Sequence, residues 1–108
     1  LMELLSAYKF KTLHAVVGVG KEKDFEFILE ALKKIENSKI YLTETPFRGR
    51  RLSEYGPYLS RADYCNANFI EAFEEAYKNS EPQDLLLVTG SLYLVGDIRK
   101  YIKDSLLR

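Results

Sequence analysis

The chain has 108 residues, with 16 basic and 16 acidic side chains, one cysteine and one histidine. That length fits a single domain, and the balanced charge argues against nucleic acid as the main partner, which a basic excess would meet. The lone Cys65 and His14 exclude an internal disulfide and a Cys/His zinc site.

Residues 2–9 have helical spacing through Met2, Leu5 and Tyr8. The run 13–19 is nearly continuous in apolar character and ends at Gly20, which predicts a strand buried on both faces. Asp24 is a candidate N-cap before Phe25, Ile28, Leu29, Leu32 and Ile35, an amphipathic helical series closed by Asn37 and Ser38. Residues 40–43 read as a second strand. A polar loop at 44–52 carries Pro46, Gly49 and the arginines Arg48, Arg50 and Arg51. Over 53–61 the pair Gly56-Pro57 interrupts a helix; an interior proline costs about 3 kcal/mol, so a broken or very short helix is expected. Tyr64-Cys65 reads as a brief strand, and Asn66 or Asn68 as the cap of a helix bearing Phe69, Ile70, Phe73, Ala76 and Tyr77. A turn at 81–84 precedes a third buried strand at 85–89. Gly90 ends it, and Ser91 opens a last helix to about Lys103. Strands alternating with helices at this spacing predict one small three-layer, Rossmann-like α/β domain with a mainly parallel sheet.

No apolar run reaches the length of a membrane span, and the short apolar start, 1–5, lacks the basic leader of a signal peptide. With a single cysteine this predicts a reducing, cytoplasmic setting and no membrane partner. Cys65 reads as a small core residue, His14 as a satisfied structural side chain.

In open parallel sheets ligands bind beyond the carboxyl ends of the strands. That rule selects Gly18 to Asp24, the loop from Thr43 through the arginines, and Thr89 to Tyr93, and puts all of them on one rim. The first segment fails two nucleotide motifs. Glu22 follows Gly20-Lys21 where a P-loop needs Ser or Thr, and Lys23 holds the third glycine position of a dinucleotide fingerprint. What remains is a tight turn presenting Lys21 and Lys23 near a helix start, open to two readings: a solvated turn or an anion site. Ser91 after Gly90 is open to a plain N-cap or a carboxylate contact. The arginines read either as a solvated surface or as anion ligands.

Two stretches carry a resemblance. Val16-Val17-Gly18-Val19-Gly20-Lys21-Glu22-Lys23-Asp24-Phe25 is similar to the segment after the second strand in the C-terminal domain of bacterial folylpolyglutamate synthase/dihydrofolate synthase, a Mur-ligase-type family. Asp84-Leu85-Leu86-Leu87-Val88-Thr89-Gly90-Ser91-Leu92-Tyr93-Leu94-Val95-Gly96-Asp97-Ile98-Arg99 resembles, nearly residue for residue, that family's final strand, turn and helix.

The resemblance implies one domain of an ATP- and Mg²⁺-dependent ligase that adds L-glutamate to dihydropteroate or folate. It also implies a Mur ligase C-terminal domain that lacks its first strand, and an ATP-binding domain upstream as partner. Lys21 would pair with a carboxylate of the incoming glutamate and Ser91 would hydrogen-bond it. Thr89 and Gly90 would shape the rim, while Lys23 and Asp24 support the turn. The family's Asp-Gly-Ala-His-Asn motif and its P-loop are absent from these residues, so no catalytic residue is expected here, the chain alone is expected to be inactive, and ATP and Mg²⁺ are not expected to bind it tightly. The alternatives are a stand-alone α/β binding module without chemistry, or another Mur-type amino-acid ligase.

Overall fold

A computed structural model describes residues 9–106 of the chain, so the helical spacing at 2–9 falls almost wholly outside the described residues. Four parallel strands, β1 (Leu13–Val17), β2 (Ser38–Leu42), β3 (Tyr64–Cys65) and β4 (Leu85–Thr89), form one sheet in the order β3-β2-β1-β4. Leu13 lies opposite Ser38 and Leu85, and Val17 opposite Leu42 and Thr89, so the three longer strands finish level. β1 is central and every residue in it is buried.

Alternation along the strands divides the core between the two faces. Ala15 and Val17 of β1, with Ile40 and Leu42 of β2, pack against helix α1 (Phe25–Lys33), a 3-10 turn (Leu52–Tyr55) and the single-turn helix α2 (Tyr58–Arg61), through Leu29, Leu32, Tyr55 and Tyr58. Val16 and Tyr41 point the other way, into Ala72, Phe73 and Ala76 of helix α3 (Phe69–Asn79) and Leu94 and Ile98 of helix α4 (Leu92–Tyr101). The domain is therefore three-layered, as its alternating pattern predicts.

Local chemistry accounts for the boundaries. Asp24 caps α1 by accepting from the Phe27 N–H. The helix ends at Lys33, short of the expected Asn37. The Ile35 N–H turns tightly onto the Leu32 carbonyl at 3.1 Å, and Asn37, at φ 60°, redirects the chain so that Ser38 and Lys39 already belong to β2. Gly56, at φ 60°, separates the 3-10 turn from α2, the break expected at Gly56-Pro57. Asn68 caps α3 through the Ile70 and Glu71 N–H groups, while Asn66 accepts from the Asn68 N–H.

Three other expectations are corrected, for β4, the end of α4 and Cys65, while that for His14 as a satisfied structural side chain holds. β4 is half-buried, not buried, because it forms the edge of the sheet despite its unbroken apolar run. α4 stops at Tyr101 and passes into a π-type turn, Ile102–Leu106. Cys65 is exposed, since β3 is a two-residue edge strand with little to cover it. His14 is buried and hydrogen-bonded on both ring nitrogens. Among the described residues no helix is long and apolar enough to cross a membrane.

Candidate functional site at the carboxyl ends of the strands

The chain leaves β1 toward α1 on one face and leaves β4 toward α4 on the other. These neighbouring strands therefore create the switch point at which an open parallel sheet has a crevice. Their exit loops meet closely. The Gly18 N–H donates to the Thr89 carbonyl at 3.2 Å. Gly90 sits at φ 109°, and a Cβ there would lie 2.7 Å from the Gly18 oxygen. Only glycine allows both that backbone conformation and that approach.

The loop after β2 closes onto the turn after β1. Gly20 and Gly49 form an antiparallel bridge, the Lys21 N–H donates to the Arg48 carbonyl at 3.0 Å, and the Arg50 N–H donates to the Val19 carbonyl at 2.9 Å. The Arg50 guanidinium then reaches back. One nitrogen donates to the carbonyls of Lys21 (2.8 Å) and Lys23 (3.3 Å), and the guanidinium carbon lies 4.5 Å from the Phe25 ring centre. From beneath, the Tyr55 hydroxyl accepts from the Val19 N–H at 2.9 Å. Burial pushes that phenol above its ordinary value of 10.0, so it stays neutral there. The turn bearing Lys21 and Lys23 is thus held on three sides.

The resulting cavity, of about 280 Å³, is lined by Gly20, Lys21, Glu22, Lys23, Phe47, Arg48, Ser91 and Tyr93. Segments following β1, β2 and β4 all contribute, as the sheet rule predicts. Three cations face one carboxylate, so the lining favours an anion. Lys21 and Lys23 are exposed, and among the described residues neither is in an ion pair. Phe47 and Tyr93 meet edge to face at 4.8 Å, yet remain 50% and 54% exposed. Two aromatic faces left in water beside cations suit a ligand that is both anionic and partly flat or apolar.

The expected site residues divide by role. Lys21 and Lys23 supply charge at the rim. Ser91 is buried; its hydroxyl oxygen accepts from the Tyr93 and Leu94 N–H groups and lies 3.2 Å from the Thr45 hydroxyl, so it caps α4 and ties the β2 loop to it. Asp24 is occupied in capping α1. Thr89 contributes its carbonyl to the joint with Gly18, and Gly90 lets the joint close.

The arginines separate too. Arg50 holds the turn. The Arg51 backbone N–H donates to the Glu54 carboxylate at 2.9 Å at the start of the 3-10 turn. Arg48 faces the cavity, with its guanidinium 5.4 Å from the Phe47 ring centre. Sequence reasoning misses Phe47. Its signal there is a large aromatic in an otherwise polar, arginine-rich loop. Among the described residues no three His, Cys, Asp or Glu side chains converge as a metal site. Compared with protein-family models, with curated proteins and with solved structures, the chain matches none.

Proposed function

We propose that this chain is the C-terminal, substrate-closing domain of an ATP-dependent ligase that joins L-glutamate to dihydropteroate or to folate. The reading rests on the resemblance of the two stretches Val16 to Phe25 and Asp84 to Arg99. The observation that favours it is that these same stretches line one cationic crevice at the switch point of the sheet. In this reading Lys21 pairs with a carboxylate of the incoming glutamate, which Arg48 reinforces, and Phe47 and Tyr93 border the flat part of a bound substrate or nucleotide. Ser91 acts chiefly by holding the α4 terminus and the Thr45 loop in place. In this reading Mg·ATP is held by the rest of the enzyme, as the resemblance implies, and closure of this domain brings the crevice over it. The acyl-transfer chemistry gathers negative charge, which fixed cations at such a rim stabilise.

The test is made on the native polypeptide from its source. An antibody raised against this chain should detect a band about three to four domains in size, and that material should release phosphate from ATP only when glutamate and a folate or dihydropteroate are both present. A band at the 12.5 kDa of this chain, with no such activity, refutes the ligase reading and leaves a stand-alone anion-binding module.

A further inference from the structure

The charge of the crevice discriminates between forms of one amino acid. Lys21, Lys23 and Arg48 are exposed on its lining, against the carboxylate of Glu22. Free glutamate carries an ammonium beside its two carboxylates, and a field set by three cations opposes that ammonium. When the nitrogen is acylated, the ammonium is gone and both carboxylates remain to meet the cations.

The rings beside those cations stand on a frame that is already built. Phe47 and Arg48 belong to the loop after β2, and Tyr93 to the first turn of α4. A buried hydroxyl pair, Thr45 Oγ1 and Ser91 Oγ at 3.2 Å, ties the two segments together. The loop folds back so tightly that a Cβ on Gly49 would lie 2.4 Å from the Thr45 carbonyl oxygen. The Lys21 N–H fixes the Arg48 carbonyl at 3.0 Å, and Arg48 sits at φ 50°, where a side chain is strained. Phe47 and Tyr93 are therefore set in place before a ligand arrives, which lowers the entropy lost when a third ring packs on them.

Carboxylates suit this rim better than a phosphate. The helix starts that would receive a phosphate are capped by side chains: Ser91 takes the Tyr93 and Leu94 N–H groups, and Asp24 takes that of Phe27. What remains is a set of separate side-chain cations, which matches two separate carboxylates. We infer that the crevice selects glutamate whose nitrogen is acylated by an aromatic group over free glutamate. The inference rests on the proposed function only in placing a glutamyl carboxylate at Lys21. In a ligase that joins glutamate to an aromatic carboxylate, such a compound is the product. A cavity of about 280 Å³ holds one such group at a time, so the product competes with incoming glutamate until it leaves.

The experiment is an NMR titration of the 108-residue chain at neutral pH and constant ionic strength with four probes: N-benzoyl-L-glutamate, N-acetyl-L-glutamate, L-glutamate and adenosine monophosphate. Saturable shifts at Lys21, Phe47, Arg48 and Tyr93 are expected. The benzoyl compound should bind about 3- to 10-fold tighter than the acetyl compound, and the acetyl compound about threefold tighter than free glutamate. Phe47→Ala should bring the benzoyl and acetyl affinities together, whereas Arg48→Ala should weaken both by about threefold and keep the preference. A benzoyl compound no tighter than the acetyl one, free glutamate equal to the acetyl compound, the monophosphate binding tightest, or a preference that survives Phe47→Ala each overturns the inference while leaving a glutamyl carboxylate at Lys21. If none of the three glutamates shifts Lys21, that placement and the inference fall together. Should Phe47→Ala not fold, Tyr93→Ala decides by the same comparison.

Discussion

Replacing Gly90 by alanine places a methyl group on a backbone at φ 109°, 2.7 Å from the Gly18 oxygen, 3.0 Å from the Gly18 carbonyl carbon and 3.1 Å from a Val19 methyl. Two of those atoms are backbone, so no side-chain rotation relieves the clash. The left-handed backbone costs about 1–3 kcal/mol and the overpacking about 1–3 kcal/mol more. Two other glycines separate these terms. Gly56, at φ 60° and ψ −133°, has nothing within 4 Å of where an alanine methyl would lie, so Gly56→Ala carries the backbone cost alone. Gly96, within α4, also has open space, and alanine there should add about 0.5–1 kcal/mol of stability. Urea unfolding followed by circular dichroism should rank the chains Gly96→Ala, parent, Gly56→Ala, Gly90→Ala, from most to least stable. Each kcal/mol should move the thermal midpoint by about 4–8 °C. A Gly90→Ala chain as stable as Gly56→Ala would refute the close meeting of the β1 and β4 exit loops, and with it the shape of the crevice.

Tyr55→Phe removes the acceptor of the buried Val19 N–H and should lower stability by about 1–3 kcal/mol in the same assay. Arg50→Lys keeps the charge but loses the planar group that spans two carbonyls and covers Phe25. Amide exchange at Lys21 and Lys23 should then quicken while β1 stays protected. Asp84 bears on acid stability. Its carboxyl lies below the ordinary 3.8 because of the Glu81 N–H and the His14 ring. A carboxyl depressed on folding contributes stability that is full above its unfolded value and is lost as pH falls through the folded one. Urea midpoints of the parent chain should therefore decline below about pH 4, and Asp84→Asn should flatten that decline.

Periodicity carried much of the fold in advance. The buried run from Leu13, the Asp24 cap and Gly56-Pro57 each state a local rule that the structure obeys, although the strand stops at Val17 and the helix at Lys33, short of Val19 and Ile35. β4 shows where such rules end. An unbroken apolar run describes what a strand carries, but which strand takes the edge depends on the order of the sheet, and strand order is a property of the whole chain. Cys65 departs from expectation for the same reason, since its small apolar character says nothing of a two-residue edge strand.

At the crevice, the rim segments followed from the sheet rule, but the division of labour among Arg48, Arg50 and Arg51 did not. It depends on which guanidinium folds back over the Lys21 turn, a consequence of loop pairing through Gly20 and Gly49. The Asp84–His14–Tyr41 chain joins His14 to residues 70 and 27 positions away. No spacing in the sequence announces it, because it exists only once β1, β2 and the turn before β4 are side by side.

The most direct trial of the proposed role is kinetic, on the native full-length polypeptide carrying Lys21→Ala. Loss of one ammonium-to-carboxylate contact should reduce kcat/KM for L-glutamate by about 10- to 100-fold, with KM for glutamate raised and KM for ATP nearly unchanged. A variant whose glutamate kinetics match those of the parent would contradict the placement of the amino-acid substrate at this rim.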